Sequence, residues 1–188
     1  MIWSPDREFF AFTCGTIVCI EDLKSGNQTL LYDDHQEDLT VLTLRNDCLQ
    51  MASGSAYSQQ KSLSTRQSQI TIWDCDSYKK VAKLFHKNSS MITLMSYSPD
   101  DHFLISIGDY KNPSLSIWST FDYAAVVCMD ELSFQIHDVA WNVCKCNEFA
   151  LCGENKMLAV WSLEEKSMKN CSLRSFECEI PLAICEVK

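Results

Sequence analysis

Three phrases of this chain end on a tryptophan, and the tryptophans keep step. Ile70-Thr71-Ile72-Trp73-Asp74, Leu115-Ser116-Ile117-Trp118-Ser119 and Leu158-Ala159-Val160-Trp161-Ser162 set them 45 and 43 residues apart. A fourth copy, Ile17-Val18-Cys19-Ile20-Glu21-Asp22, keeps the alternation and lacks the Trp. Upstream lies a second repeated phrase. Trp3-Ser4-Pro5-Asp6 matches Tyr97-Ser98-Pro99-Asp100, and Trp141-Asn142 takes the same place one period later. Between the two phrases sits a short apolar run closed by glycine, at Gly15, Gly54, Gly108 and Gly153, which uses four of the chain's five glycines. The expected role of glycine there is a tight strand-to-strand turn with positive φ. Gly26, in Lys24-Ser25-Gly26-Asn27, reads as a separate hairpin turn.

Each period holds four short strands. In the third copy they are expected near Ile92 to Tyr97, Phe103 to Ile107, Leu115 to Trp118 and Ala124 to Cys128, separated by Pro99-Asp100-Asp101, Asn112-Pro113-Ser114 and Thr120 to Asp122. Ser162 to Lys169, the most helix-like stretch, is expected to form a turn and an outer strand. A four-stranded unit repeating every ~40–45 residues is a propeller blade. One such sheet cannot bury both of its faces, and stacking neighbours around an axis buries them, so the strands can be apolar on nearly every residue.

The phrases Ser98-Pro99-Asp100, Ser53-Gly54 and Ile72-Trp73-Asp74 resemble the signature of WD40 repeats, over about residues 1 to 173. The resemblance implies an all-β fold, a WD40 β-propeller in a partial arc of about four four-stranded blades. The expected blades are 1–33, 34–85, 86–130 and 131–173, with 174–188 beginning a further one. The whole of 1–188 is then an incomplete propeller, a fragment or isoform of something longer. That family often opens a blade with Gly-His and carries Asp six residues before the Trp. Here His35 and His86 follow Asp34 and Phe85, and Gln67, Asn112 and Asn155 stand in place of the Asp. The family's His–Ser–Asp–Trp hydrogen-bond network is therefore expected to be incomplete, with blades held mainly by apolar stacking.

The wording is most similar to the tandem-propeller proteins of microtubules, centrioles and cilia, and also to the mitogen-activated-protein-kinase-binding WD-repeat scaffolds. The resemblance implies a non-catalytic protein-protein interaction scaffold, cytoskeletal, centriolar or ciliary, with a signalling scaffold as the alternative. Other proteins are the expected partners, and the cytoplasm, cytoskeleton, centriole or cilium the expected location.

Charge and cysteine usage narrow the other classes. With 16 Lys and Arg against 25 Asp and Glu the net charge is −9, unsuited to a phosphate backbone, so no nucleic acid is expected. The N-terminus lacks a basic region followed by an apolar one, and no apolar run approaches bilayer length, so neither a signal peptide nor a membrane partner is expected. Sequons at Asn27, Asn88 and Asn170 then read as chance matches. The 11 cysteines fall mostly in apolar runs, as Cys14, Cys19, Cys128, Cys152 and Cys185 do, and are expected as reduced thiols.

No cofactor, metal site or catalytic residue is expected. Cys144, Cys146 and Cys152 form the nearest approach to a ligand cluster, and a Cys–His thiol hydrolase is the competing class. Among the histidines, His35 and His86 sit at blade openings, His102 follows a turn, and His137 precedes Trp141 on a strand. The adjacent carboxylates Asp33-Asp34 and Asp100-Asp101 are expected as solvated turn caps. One unit is longer than the rest: 19 residues separate Gly54 from Trp73, against 10 and 8 at the later copies. The excess falls in Ser55 to Ser68, a Ser/Gln-rich stretch expected as a variable, disordered surface loop, with a docking or phosphorylation site as the alternative.

Overall fold

The structure is a computed structural model of the chain. It describes residues 1–4, 6–32, 37–56, 67–87, 89–130, 132–167 and 170–179, without the side chains of residue 156 and of 165–179. The tip of the Ser55 to Ser68 loop, His35, Asp33-Asp34 and the strand expected at 180–185 lie outside the described residues.

Among the described residues, sixteen strands form four antiparallel sheets, each taken in chain order. The first contains β1 (Ile2–Ser4), β2 (Phe9–Cys14), β3 (Ile17–Asp22) and β4 (Gln28–Tyr32), and the second β5 (Leu39–Leu44), β6 (Gln50–Ser55), β7 (Gln67–Asp74) and β8 (Lys80–Lys87). The third contains β9 (Leu94–Tyr97), β10 (Phe103–Ile107), β11 (Leu115–Ser119) and β12 (Ala125–Met129), and the fourth β13 (Ile136–Trp141), β14 (Glu148–Gly153), β15 (Met157–Ser167) and β16 (Asn170–Glu179). Among the described residues the one helical element is a 3₁₀ turn, Glu154–Lys156.

The burial pattern explains the strand composition. Middle strands of the two inner sheets are covered on both faces, so Leu104–Ile107 and Leu115–Trp118 are buried at every residue. Outer strands have less cover, and β8 is buried only at Leu84 and His86. Three apolar seams join the sheets. Phe9, Val18 and Ile20 meet Met51 and Trp73 between the first and second. Ile70 and Ile72 meet Trp118 and Tyr97 between the second and third. Ile105, Ile107 and Ile117 meet Phe149 and Trp161 between the third and fourth. Each Trp of the period therefore faces the preceding sheet. The four sheets form an arc of WD40-propeller type and do not close into a ring.

Three expectations are corrected. The run Ser162 to Lys169 does not turn early: β15 continues to Ser167. Residues 174–179, expected to begin another unit, pair with Met157–Ser162 as part of the fourth sheet's outer strand. Positive φ belongs to Gly15 and Gly26 but not to Gly54, Gly108 or Gly153. A Cβ at Gly54 would lie 2.9 Å from Ile92 and Val41, at Gly108 2.3 Å from the Ser114 hydroxyl, and at Gly153 2.1 Å from the Gln135 carbonyl. Glycine is needed there because a neighbouring segment passes against the strand end. The left-handed turn positions are filled instead by residues such as Glu8, Cys48, Asp101 and Tyr123.

Candidate interaction surface

The sheets are fixed to one another by polar clamps as well as by apolar seams. His86 leaves β8 of the second sheet and enters the third, where Nδ1 lies 2.8 Å from Ser106 Oγ and Nε2 2.9 Å from Ser114 Oγ. Trp118 Nε1 donates to the same Ser106 hydroxyl at 2.8 Å. Burial pushes the His86 pKa down to about 4, so the ring is neutral, with one nitrogen donating and the other accepting. The network expected to be incomplete is thus closed in this blade, with the Ser114 hydroxyl at the far end of the imidazole. Asn112, in the place of the family's Asp, instead donates its backbone N–H to Asp109.

The other blades keep less of it. Trp73 Nε1 donates to Ser53 Oγ at 2.9 Å. In the fourth blade the equivalent of Ser53 and Ser106 is Leu151, which pairs with Ala159 two residues before the Trp, and the buried Trp161 Nε1 has no acceptor. In the first blade Glu21 takes the Trp position opposite Phe10.

A second clamp joins the turns of sheets two and three. Asp101 is buried, contrary to its expected role as a solvated cap. Its carboxylate accepts from the Asn46 backbone N–H at 2.9 Å, the Asn46 side-chain amide at 2.7 Å and the Asp47 N–H at 3.0 Å. Asp100 does cap its turn, accepting from Ser98 Oγ and the His102 N–H. Further ties are Arg7 Nη1 to Asp76 at 2.6 Å between sheets one and two, and Trp141 Nε1 to the Ser96 carbonyl at 3.3 Å between sheets four and three. Sequence reading missed Ser106, Ser114 and Asn46 because a lone hydroxyl or amide has no periodicity. The available signal was a serine four residues before a Trp, together with one two residues before a Gly.

The thiols and remaining histidines are dispersed. Cys19 and Cys75 are buried, and burial pushes the Cys75 thiol up to about 12. Cys144 and Cys146 lie in the turn between β13 and β14, whereas Cys152 is on β14. Among the described residues no three His, Cys, Asp or Glu side chains are placed to share an ion. His137 lies beside Tyr110, with ring centroids 6.2 Å apart. His102 and Cys146 border a cleft of about 550 Å³ between sheets three and four, whose walls include Phe103 and Leu163 and whose rim carries Asp100 and Glu164.

The most solvent-exposed large apolar side chains beyond the N-terminal Met1 stand on turns of these same two sheets: Phe121 is 96% exposed and Val143 81%. Among the described residues no helix is long and apolar enough to cross a membrane.

Comparison with known proteins gives a consistent set of relatives. No protein-family profile matches the chain. WD repeat-containing protein 90 of Xenopus tropicalis is 36% identical over 164 residues, which is 87% of this chain and 8% of that protein. The Mus musculus protein of the same name is 33% identical over 91% of this chain and 9% of its own length. Cilia- and flagella-associated protein 52 of Sus scrofa is 24% identical over 88% of the chain and 26% of its length. The chain thus spans less than a tenth of the first relatives and about a quarter of the last. Among solved structures, a chain of the crystal structure of the mitotic checkpoint complex superposes with a TM-score of 0.69 at 18% identity, covering 95% of this chain and 52% of that one.

Proposed function

We propose that this chain, a member of the WD-repeat family, is a non-catalytic protein-interaction scaffold belonging to a ciliary, centriolar or other cytoskeletal assembly. The observation that carries the reading is how the polar groups are used. His86, Asp101, Ser106 and Trp118 are spent on fixing sheet to sheet, while apolar turn residues such as Phe121 and Val143 are left at the surface. A rigid platform with exposed anchors on its turns suits protein recognition. The ciliary part of the reading is supported by the name of cilia- and flagella-associated protein 52, to which the chain is similar. The net charge of −9 argues against attachment to acidic microtubule walls by general electrostatics, so the partners are expected to be proteins that read the turns.

The test is proximity labelling in ciliated cells with the chain fused to a biotin ligase, beside a variant carrying Phe121→Asp and Val143→Asp. Enrichment of ciliary and centriolar proteins by the parent chain, lost in the variant while its melting transition is kept, is the expected result. An identical labelling pattern for both, or one devoid of cytoskeletal proteins, overturns the reading.

A further inference from the structure

We propose that the cleft between the third and fourth sheets receives an arginine side chain, presented by a partner segment with apolar residues beside it. The inference deepens the interaction-surface reading above and takes from it the premise that a protein covers these turns. It does not depend on the ciliary assignment. One wall of the cleft comes from the third sheet: Asp100 and His102 on the turn between β9 and β10, and Phe103 at the start of β10. The other comes from the fourth: Cys146 and Asn147 on the turn between β13 and β14, with Leu163 and Glu164 of β15.

Hydrogen bonds fix both walls. The Leu163 backbone N–H donates to the Asn147 carbonyl at 2.7 Å, and the Asn147 side-chain amide donates to the Leu163 carbonyl at 3.3 Å. On the third-sheet side the Thr120 N–H donates to the His102 carbonyl at 3.0 Å, and the Thr120 hydroxyl to the Asp101 carbonyl at 2.6 Å. These bonds tie the turn that carries Phe121 to the turn that carries His102. Val143 stands on the same turn as Cys146. Each wall of the cleft therefore has one strongly exposed apolar side chain next to it, Phe121 on the third sheet and Val143 on the fourth.

The polar lining consists of acceptors. The ionised carboxylates of Asp100 and Glu164 accept and do not donate. His102 Nδ1 lies 3.1 Å from Asp100 Oδ2, so a neutral ring turns its proton to the carboxylate and keeps Nε2 as an acceptor. The Asn147 amide nitrogen is directed at Leu163, which leaves the amide oxygen to accept. Among the described residues of these turns the one lysine is Lys145, and its ammonium is held by Glu148 at 2.9 Å. A cleft of acceptors is matched by a group that brings donors and positive charge. A guanidinium has five N–H donors in a planar fork and no acceptor, and its flat face can lie against the Phe103 ring. A volume of about 550 Å³ falls within the ~300–1,000 Å³ of ligand sites and exceeds one side chain, leaving room for neighbours that reach Phe121 and Val143. The net charge of −9 draws a basic segment toward this surface. An acidic segment would set its carboxylates against Asp100 and Glu164.

The experiment selects binders of the 188-residue chain from a library of random linear peptides displayed on phage, then measures synthetic copies by fluorescence anisotropy. The selected sequences are expected to share an arginine flanked by apolar residues. Replacing that arginine by glutamine, or Glu164→Lys in the chain, should weaken binding by about tenfold or more. Asp138→Lys makes the same change of net charge at an exposed position outside the cleft, and should weaken it far less. Cys146 gives a second readout, because a bound peptide should slow its labelling by a maleimide and leave exposed Cys14, on the first sheet, unchanged. Trypsin cuts after Lys145, so Cys144 and Cys146 are read on separate fragments. Thermal melting checks that each variant is folded, and if Glu164→Lys is not, protection of Cys146 in the parent chain decides. Selected peptides rich in Asp and Glu, peptides that leave Cys146 labelling unchanged, a folded Glu164→Lys chain that binds as tightly as the parent, or no selected peptide at all overturns the arginine site. The scaffold reading stands or falls separately, in the cell-labelling comparison with Phe121→Asp and Val143→Asp.

Discussion

Trp118 and Ser106 are joined by a 2.8 Å hydrogen bond from the indole nitrogen to the hydroxyl, and the same hydroxyl lies 2.8 Å from Nδ1 of His86 in the preceding sheet. One serine thereby ties the third-strand Trp of its own blade to the outer strand of the neighbour. Where the serine is replaced by Leu151, the Trp161 nitrogen is left bare, and the seam rests on packing of Phe149, Trp161 and Ile105 beside the longer bond from Trp141 to the Ser96 carbonyl. The repeat therefore carries two grades of blade, one whose Trp is clamped and one whose Trp is only packed, and their stabilities should respond differently to substitution.

Ser106→Ala removes a hydroxyl shared by two buried groups, whereas Ser53→Ala orphans the Trp73 nitrogen. A buried unsatisfied group costs about 1–3 kcal/mol, so S106A is expected to destabilise the chain more than S53A by about that amount. The converse holds at the tryptophans. Trp161→Phe removes a nitrogen that is already unpaired, and should cost about 1 kcal/mol less than Trp118→Phe, which breaks a bond. Urea titrations give both comparisons through the midpoint at an unchanged slope.

Protonation of His86 should set an acid limit on stability. Its folded pKa is lowered to about 4 by burial, against an ordinary 6.5. Above 6.5 both folded and unfolded chains hold the neutral ring, and its contribution is fully present. Between 6.5 and about 4 the unfolded chain takes up a proton that the folded one refuses, so stability falls with pH, by on the order of 3 kcal/mol in all. Below about 4 both states are protonated and this contribution is flat. The Asp130 carboxylate pulls the other way and does not overcome desolvation. Urea midpoints measured from pH 7.5 to 4.5 should decline in the parent chain and decline distinctly less in His86→Gln.

Much of this architecture is legible in the chain because it is periodic. The Trp spacing, the Ser-Pro-Asp phrase and the apolar runs each locate a strand, and the four strands expected in the third copy fall within two residues of β9 to β12. What is not periodic is not legible. His86 reads as a residue at a blade opening, yet its two serine partners lie 20 and 28 residues away and have no pattern of their own. Asp101 reads as a solvated turn carboxylate because the turn is visible in the sequence and the neighbouring blade's Asn46 is not. The glycines read as turn formers because conformational freedom is a local property, whereas close approach of another segment depends on the tertiary fold.

The close approach at Gly108 is open to measurement. Gly108→Ala places a methyl group 2.3 Å from Ser114 Oγ and 2.7 Å from Ser89 Oγ, beside the His86 clamp. Forced overpacking of this kind costs about 1–3 kcal/mol, and here it also displaces a partner of the imidazole. Gly26 has φ of +68° with nothing within 4 Å of an added Cβ, so Gly26→Asn, a residue that tolerates the left-handed region, should cost less than about 1 kcal/mol. Equal losses for the two variants in thermal melting would contradict the assignment of Gly108 to close approach.

The contact between Asp101 and Asn46 holds a turn of the third sheet to a turn of the second. Two of the three N–H groups that reach the carboxylate come from Asn46, one from its backbone and one from its side chain, and the same side-chain amide also donates to the Ser98 carbonyl at 2.7 Å. Asn46→Ala removes the side-chain donor and keeps both backbone donors. Asp101→Ala removes the acceptor of all three and leaves the Asn46 and Asp47 N–H groups to find water. The Asp101 change should therefore be the costlier, by about 1–3 kcal/mol. Residues in one network couple by about 0.5–3 kcal/mol, so the double variant should fall short of the sum of the singles by an amount in that range. A double-mutant cycle in urea measures the coupling, and hydrogen exchange locates it: in Asp101→Ala the faster-exchanging amides should lie along β5, β6, β9 and β10, on both sides of the second seam. Strict additivity, or exchange confined to the third sheet, would show that the turn contact does not hold the blades together.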